Sequence, residues 1–322
     1  MEILESVKGK QQYMVNAQRQ EVMLGMMRKA IAALEKVGIQ PVLLKGFGLA
    51  RLYDQPYMRE WGDIDLFVGK ADYHKGAAAL REAFPDAALF EGEEEYYKHY
   101  NLTFYKPFNT AIEMHRVSMS LMHPRDQRLY SRLEAEGLVN QRRRYTNDED
   151  SWWEPEWKFN VLYVFMHSWE HWTHNSALMR QLEDLALLLT KGKPADESYE
   201  ALTAYLKKNL KWLHLLQAWR LYAYILVHEY NVPEATCPLY DPSVSLRAQA
   251  LKTSIEQGRE CLPQRTAPKN VLLRKLHTFR QRVKEAKLIA RYEPTYARHM
   301  VWANVAQSWQ RFLRGENTRH WE

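Results

Sequence analysis

The chain has 322 residues, 46% hydrophobic and 12% aromatic, and carries 45 Lys and Arg against 39 Asp and Glu for a net charge of +6. That length suffices for two domains with substantial cores, and that composition excludes a disordered chain. No run of about 18 apolar residues occurs, so no membrane span is expected. The opening Met1-Glu2-Ile3-Leu4-Glu5 lacks the basic start and apolar stretch of a secretion signal, and Cys237 and Cys261 stand far apart without metal-ligand spacing. Both observations point to a reducing, cytoplasmic setting.

In chain order, Gln12–Val37 is the first predicted helix, with Val15, Val22, Leu24, Met27, Ile31 and Leu34 forming an interrupted apolar stripe that Gly38 ends. Gln40–Leu44 reads as a strand, Lys45-Gly46-Phe47-Gly48 as a glycine turn, and Leu49–Tyr53 as a helix start. Such a junction presents backbone N–H groups to an anion, and Lys45 adds a compact positive charge suited to phosphate. Arg59–Val68 reads as a turn feeding a strand that opens with two carboxylates. Side chains alternate along a strand, so Asp63 and Asp65 share a side, leaving Ile64 and Phe67 to serve a buried one. Two oxygens on one rim can hold a divalent cation; the plain alternative is an acidic loop-to-strand junction.

An Ala-rich helix is predicted over Asp72–Phe84, and the acidic run Glu91–Glu95 reads as a solvated loop. Tyr97–Tyr105 and Thr110–Val117 read as two strands around the turn Lys106-Pro107-Phe108-Asn109, with Glu113 and His115 sharing a face of the second. If that strand pairs beside the Asp63 strand, three carboxylates meet, flanked by Lys45 and His115. Their mutual repulsion implies a bound metal.

A helix is expected from Pro124 to Leu138, after which Arg142-Arg143-Arg144 switches to the acidic Asp148-Glu149-Asp150. This poorly periodic stretch suggests a boundary between domains at 1–145 and 146–322. Beyond it the chain reads helical over Pro155–Trp172, Ala177–Thr190, Tyr199–Leu210, Trp212–Tyr230, Val244–Gln257, Lys269–Ala290 and Ala297–Leu313. His167, His171 and His174 share one helical stripe, a spacing that permits zinc but is not H-E-x-x-H, and they lie opposite Leu162, Phe165, Trp169 and Trp172. The cluster Trp152, Trp153, Trp157, Trp169 and Trp172 is expected in the core, base stacking being the alternative. Between Arg265 and Arg298, ten Lys and Arg face two Glu, a local net of +8 that leaves the remainder near −2. Leu272, Leu276, Phe279, Val283 and Ala286 step by 4, 3, 4 and 3 there, a packing seam whose other faces are a solvated basic surface or a contact for RNA or another polyanion.

The order Leu43-Leu44-Lys45-Gly46, Arg59 with Asp63-Ile64-Asp65-Leu66, then Ile112-Glu113-Met114-His115 resembles the uncharacterised bacterial nucleotidyltransferase family of the polymerase-beta-like superfamily. Phe165-Met166-His167 and Arg180-Gln181-Leu182-Glu183-Asp184-Leu185 extend the resemblance, which covers about residues 20–190. It implies an α/β (α+β) nucleotidyltransferase core with a small mixed sheet, an all-helical C-terminal domain, and an active site in a cleft between them. The implied reaction moves a nucleoside monophosphate from an NTP, ATP among them, to an unidentified acceptor and releases pyrophosphate. Asp63, Asp65 and Glu113 would hold two Mg²⁺ (or Mn²⁺) ions, with Lys45, Gly46, Arg59, His115, His167 and Arg180 on the nucleotide. The chain departs from the wider superfamily in having Lys45-Gly46 where a Gly-Ser or Gly-Gly pair is usual, and from the family in having Glu113 where Asp is commoner. Two other classes remain: a nucleotide-binding module without turnover, and a nucleic-acid-binding protein that uses its basic C-terminal helices. The acceptor is a small hydroxyl compound, a nucleic-acid end or a protein side chain.

Overall fold

In the computed structural model the described residues are 7–60, 62–89, 99–121, 123–174, 176, 178–258 and 271–313. Contacts divide the chain into two units, the first Met1–Ser120 with Tyr130–Val164 and Lys191–Pro194, the second Leu121–Leu129 with Phe165–Thr190 and Ala195–Glu322.

The first unit begins with α1 (Val7–Lys36), closed by Gly38 at φ 78°. Seven strands then form one mixed sheet: β1 (Val42–Leu43), β2 (Asp63–Phe67), β3 (Ala88–Leu89), β4 (His99–Phe104), β5 (Thr110–His115), β6 (Arg143–Thr146) and β7 (Ser151–Glu154), in the spatial order β3-β4-β5-β2-β1-β7-β6. Between the early strands lie the five-residue α2 (Gly46–Ala50) after β1 and the 15-residue α3 (Gly69–Ala83) after β2. β2 runs parallel to β5 and antiparallel to β1, and β1 is parallel to β7.

Alternation along these strands sorts the residues. Ile64, Leu66, Ile112, Met114, Tyr100 and Leu102 enter a core completed by Met23, Met27 and Leu34 of α1 and Tyr73 and Leu80 of α3. Each such side chain contributes about 1.5–3 kcal/mol when fully buried. The opposite parity carries Asp63, Asp65, Glu113 and His115. Phe67 has the parity of the aspartates and not of Ile64, so the expectation that Ile64 and Phe67 share a buried face is corrected; Phe67 is buried on the acidic side.

Other expectations are revised nearby. The helix after the Lys45 turn lasts only five residues, too short to build the helix dipole invoked for anion binding. The stretch expected as a boundary forms the β6–β7 hairpin, in which Tyr145 faces Trp152 with ring centroids 4.5 Å apart. The boundary expected between residues 145 and 146 therefore falls inside a hairpin that extends the sheet. Arg51 anchors it, donating to both oxygens of Glu154 at 2.8 and 2.7 Å.

The helix expected to Leu138 is α4 (Pro124–Ala135) continued by a wider π turn over Glu136–Asn140. Gly137 explains why: a Cβ there would lie 2.3 Å from Phe159 Cγ, on α5 (Trp157–Thr173).

The second unit is helical in its described residues, with α6 (Met179–Thr190), α7 (Tyr199–Trp212), α8 (Leu216–Tyr230), α9 (Ser245–Glu256), α10 (Val271–Ile289) and α11 (Pro294–Leu313). Phe165 packs edge-on against Trp219 and Tyr222 at 5.1 and 5.0 Å. The buried Glu293 carboxylate caps α8, accepting the Gln217 and Ala218 N–H groups at 2.7 and 3.0 Å. Trp152, Trp157, Trp169 and Trp172 are all buried, as a core role requires, while Trp153 is half-buried under the guanidiniums of Arg142 and Arg144. Among the described side chains of the seam expected on α10, Ala286 is buried, as is the neighbouring Ile289, but Phe279 is 44% exposed; Arg282 is paired with Glu285 at 3.0 Å. Residues 259–270, including Cys261 and Arg265, lie outside the described residues. Among the described residues no helix is long and apolar enough to cross a membrane.

The Gly137 contact yields a stability prediction. Gly137→Ala forces the π turn away from Phe159 and should cost roughly 1–3 kcal/mol, as overpacking does. Chemical denaturation measures this; an unchanged midpoint with an unchanged slope would show that the turn yields freely.

Candidate active site

The site is assembled by strand pairing. In the parallel β2–β5 ladder Asp65 stands opposite Glu113 and Phe67 opposite His115. Thr110 Oγ1 donates to Gly62 O at 2.8 Å and fixes where β2 begins. Carboxylate oxygens of Asp63, Asp65 and Glu113 come within 4.8 Å of one another. Asp65 is buried, whereas the side chains of Glu113 and Asp63 are 20% and 37% exposed.

Lys45 reaches the same cluster from the other neighbour of β2. The Leu44 N–H donates to Asp65 O at 3.0 Å, so the next residue emerges beside the aspartates. Lys45 has φ 28° and Gly46 φ 49°. A non-glycine residue at positive φ is strained, and such strain concentrates at functional turns. The Lys45 ammonium lies 3.2 Å from Asp65 Oδ2 and 3.6 Å from Asp63 Oδ2. Burial alone would lower its pKa, but Asp65, Asp63 and Glu113 together raise it above the usual lysine range.

His115 is also buried, with Nε2 2.8 Å from Asp65 Oδ1 and 3.8 Å from Glu113 Oε2. It thus orients the carboxylates. Two residues absent from the sequence-based set complete the wall: His99 Nε2 lies 3.8 Å from Glu113 Oε2, and Asn101 donates to Glu113 Oε1 at 3.4 Å. They stand directly across the β4–β5 hairpin from His115 and Glu113. Pairing Phe104 with Thr110, across five intervening residues, sets the register that places them there. Arg59 is buried close enough to lower the Asp63 pKa, as Lys45 and His115 do, but Asp65 and then burial outweigh all three and raise it.

Lys45, Gly46, Arg59, Asp63, Asp65, Glu113 and His115 therefore share the first unit. His167 and Arg180 belong to the second. There His167 Nε2 meets His171 Nε2 at 3.0 Å, His171 Nδ1 meets Ser176 Oγ at 2.9 Å, and His174 Nδ1 meets Glu170 O at 2.8 Å. Among the described residues the groups whose donors converge as metal ligands do not include this stripe.

Three carboxylates form an all-oxygen donor set suited to a hard divalent cation such as Mg²⁺ or Mn²⁺. The raised Asp63 pKa records the repulsion that such an ion would relieve.

A family model described as "Uncharacterised nucleotidyltransferase" matches residues 3–228. No curated protein matches the chain. A crystal structure of an antigenic nucleotidyltransferase-like protein from Paracoccidioides brasiliensis is similar at a TM-score of 0.38 and 11% identity, covering 67% of this chain and 93% of that one.

The electrostatics predict an effect of pH and of substitution. Because the Asp63 pKa is raised in the fold, its ionisation costs stability; the cost is absent below its ordinary value of 3.8 and complete once pH exceeds the folded value. At neutral pH in EDTA, Asp63→Asn should melt higher than the wild type, and Mg²⁺ should raise the wild-type melting temperature more than the variant's. A variant that melts lower in EDTA, or gains as much from Mg²⁺, would contradict this account of the site.

Proposed function

Since the chain belongs to the uncharacterised nucleotidyltransferase family, we propose that it transfers a nucleoside monophosphate from an NTP to an acceptor and releases pyrophosphate. The observation that carries this reading is the convergence of Asp63, Asp65 and Glu113 beside Lys45. One or two Mg²⁺ (or Mn²⁺) ions held by these carboxylates would neutralise charge around the α-phosphate and make the acceptor more acidic.

The chain's own residues have distinct parts in the proposal. An acceptor oxygen attacks the α-phosphorus, its bond to pyrophosphate breaks, and the acceptor proton passes to Glu113. Asn101 and His99 steer that carboxylate. His115 holds Asp65 through Oδ1 and serves as a positioning residue instead of the nucleotide contact that the sequence suggested. The Lys45 ammonium, released from Asp65 when another cation takes up the carboxylate charge, would bind the β- and γ-phosphates over the Gly46 turn. Arg59 would add charge on the same side. His167 and Arg180 are assigned to the nucleotide on the family resemblance of the segments that carry them. The acceptor is sought among small hydroxyl compounds, protein side chains and nucleic-acid ends, the last because residues 265–298 are strongly basic.

One observation favours a second reading, a nucleotide-binding module without turnover: Lys45 already pairs with both aspartates. Incubation with each labelled NTP, Mg²⁺ or Mn²⁺ and cell extract separates the two, since only an enzyme labels an acceptor and frees pyrophosphate. Asp65→Asn and Glu113→Gln should each lower that release by about 10²–10³-fold, the scale of losing one preorganised electrostatic group. Glu113→Gln should retain more NTP affinity than Asp65→Asn in calorimetry. Release at the wild-type rate in both variants would overturn the proposal, and NTP binding with no labelled product would establish the second reading.

A further inference from the structure

A second convergence of metal-binding side chains lies wholly inside the helical unit. His123 precedes α4, Asp126 sits in its first turn, and His299 projects from α11; one donor atom of each lies within 4.8 Å of the others. Asp126 is 9% exposed, and the His123 and His299 side chains are 30% and 25% exposed. The His123 and His299 rings are 4.4 Å apart. A third imidazole, His214, is tilted against the His299 ring with centroids 4.3 Å apart. His214 is held at φ 59° at the junction of α7 and α8, a conformation that few non-glycine residues adopt.

The contact between His299 and Asp126 is unusual. His299 Nε2 comes within 2.7 Å of Asp126 Oδ2, yet this buried nitrogen makes no hydrogen bond, because the approach is close but misaligned. An ordinary imidazole–carboxylate pair would align its N–H with the oxygen. Close donor atoms that do not hydrogen-bond one another, with His123 beside them, are near enough to share one cation. Beside the three donors is a cavity of about 40 Å³, walled by Met166, Leu213 and Met300. That volume accommodates an ion with a water or two.

We propose that His123, Asp126 and His299 bind a divalent transition-metal ion of the zinc class, with a fourth position open to the apolar cavity. The donor set differs from the three carboxylates of the sheet, although His99, Glu113 and His115 there also bring two imidazoles and one carboxylate together. Two imidazoles and one carboxylate favour zinc or cobalt, whereas three carboxylates favour magnesium. Three protein ligands with one open position distinguish such a centre from a closed four-ligand structural site. The Arg125 amide, 3.2 Å from His123 Nδ1, gives up that weak contact when the ring ligates through Nδ1. The Arg125 guanidinium lies over the Trp212 ring, 5.6 Å from its centroid. The site stands independently of the nucleotidyltransferase reading, and nothing in that reading requires it.

The test uses the full chain, stripped with chelator and kept in excess Mg²⁺ to occupy the carboxylate cluster. Titration with Co²⁺, followed by its visible absorption, and with Zn²⁺, followed by calorimetry, reports affinity and stoichiometry. One equivalent should bind to the wild type and to Asp65→Asn, and the affinity should fall at least tenfold in His299→Ala and in His123→Ala. Circular dichroism checks that each variant folds; should His299→Ala fail, the more exposed His123 decides. Unchanged binding in both histidine variants overturns the proposal. So does loss confined to His99→Ala, which would assign the ion to the sheet, or to His171→Ala, which would assign it to the histidine stripe of α5.

Discussion

Three carboxylates held within 4.8 Å of one another on a single sheet face impose the constraint that the rest of the first unit answers. The face exists because its reverse is apolar: Ile64, Leu66, Ile112 and Met114 are drawn under α1 and α3, and strand geometry then forces Asp63, Asp65 and Glu113 outward together. The hydrophobic core thereby does the electrostatic assembly. A one-residue slip of β2 against β5 would move Asp65 into the core and Ile64 out of it, so the register that buries the apolar set also fixes the carboxylates.

Repulsion so imposed has to be met locally. Lys45 meets part of it, and the chain bends sharply to bring it there, with Lys45 and Gly46 both at positive φ. The bend is held from both sides: the Leu44 N–H is bonded into β2, while Arg51 beyond α2 grips Glu154 on β7. This explains why β7 belongs to the sheet. The β6–β7 hairpin is the strut against which the strained turn is braced. Trp152 adds to that bracing, since its indole donates to the same Glu154 carboxylate and its ring packs edge-on against Phe47 in α2.

The carboxylate face was legible in the sequence because period-two alternation is short-range arithmetic, and Asp63, Asp65, Glu113 and His115 obey it. The helices from α5 onward were legible because long apolar periodicity is a strong signal. What escaped depended on pairing at a distance. His99 and Asn101 are polar residues on an ordinary strand until β4 is laid against β5. The β6–β7 hairpin escaped because its apolar residues, Tyr145 and Trp152, are flanked by charge runs that resemble a linker. Phe67 was placed on the wrong face by reading its hydrophobicity before its parity. The α10 seam failed at Phe279 because a regular spacing states only that residues share a stripe, not that a partner covers it. The His123, Asp126 and His299 group could not be seen at all, since its members are separated by up to 176 residues in the chain.

Charge bookkeeping then separates what the fold supplies from what the site still requires. Lys45 offsets one of three carboxylates and Arg59 acts on Asp63 as well, which leaves the cluster net negative before any contribution from His99 and His115. His115 Nε2 lies within hydrogen-bond distance of Asp65 Oδ1, at 2.8 Å, and beyond it from Glu113 Oε2, at 3.8 Å. Residual charge of that size in a partly buried cluster is tolerable for a folded protein only because Asp63 and Glu113 keep some access to water. The cluster so described leaves a deficit that a divalent cation would match. Because Lys45 pairs with both aspartates, cation binding at the carboxylates and the freedom of Lys45 would be coupled: whatever draws the aspartates toward another cation would also release the ammonium for an anionic partner.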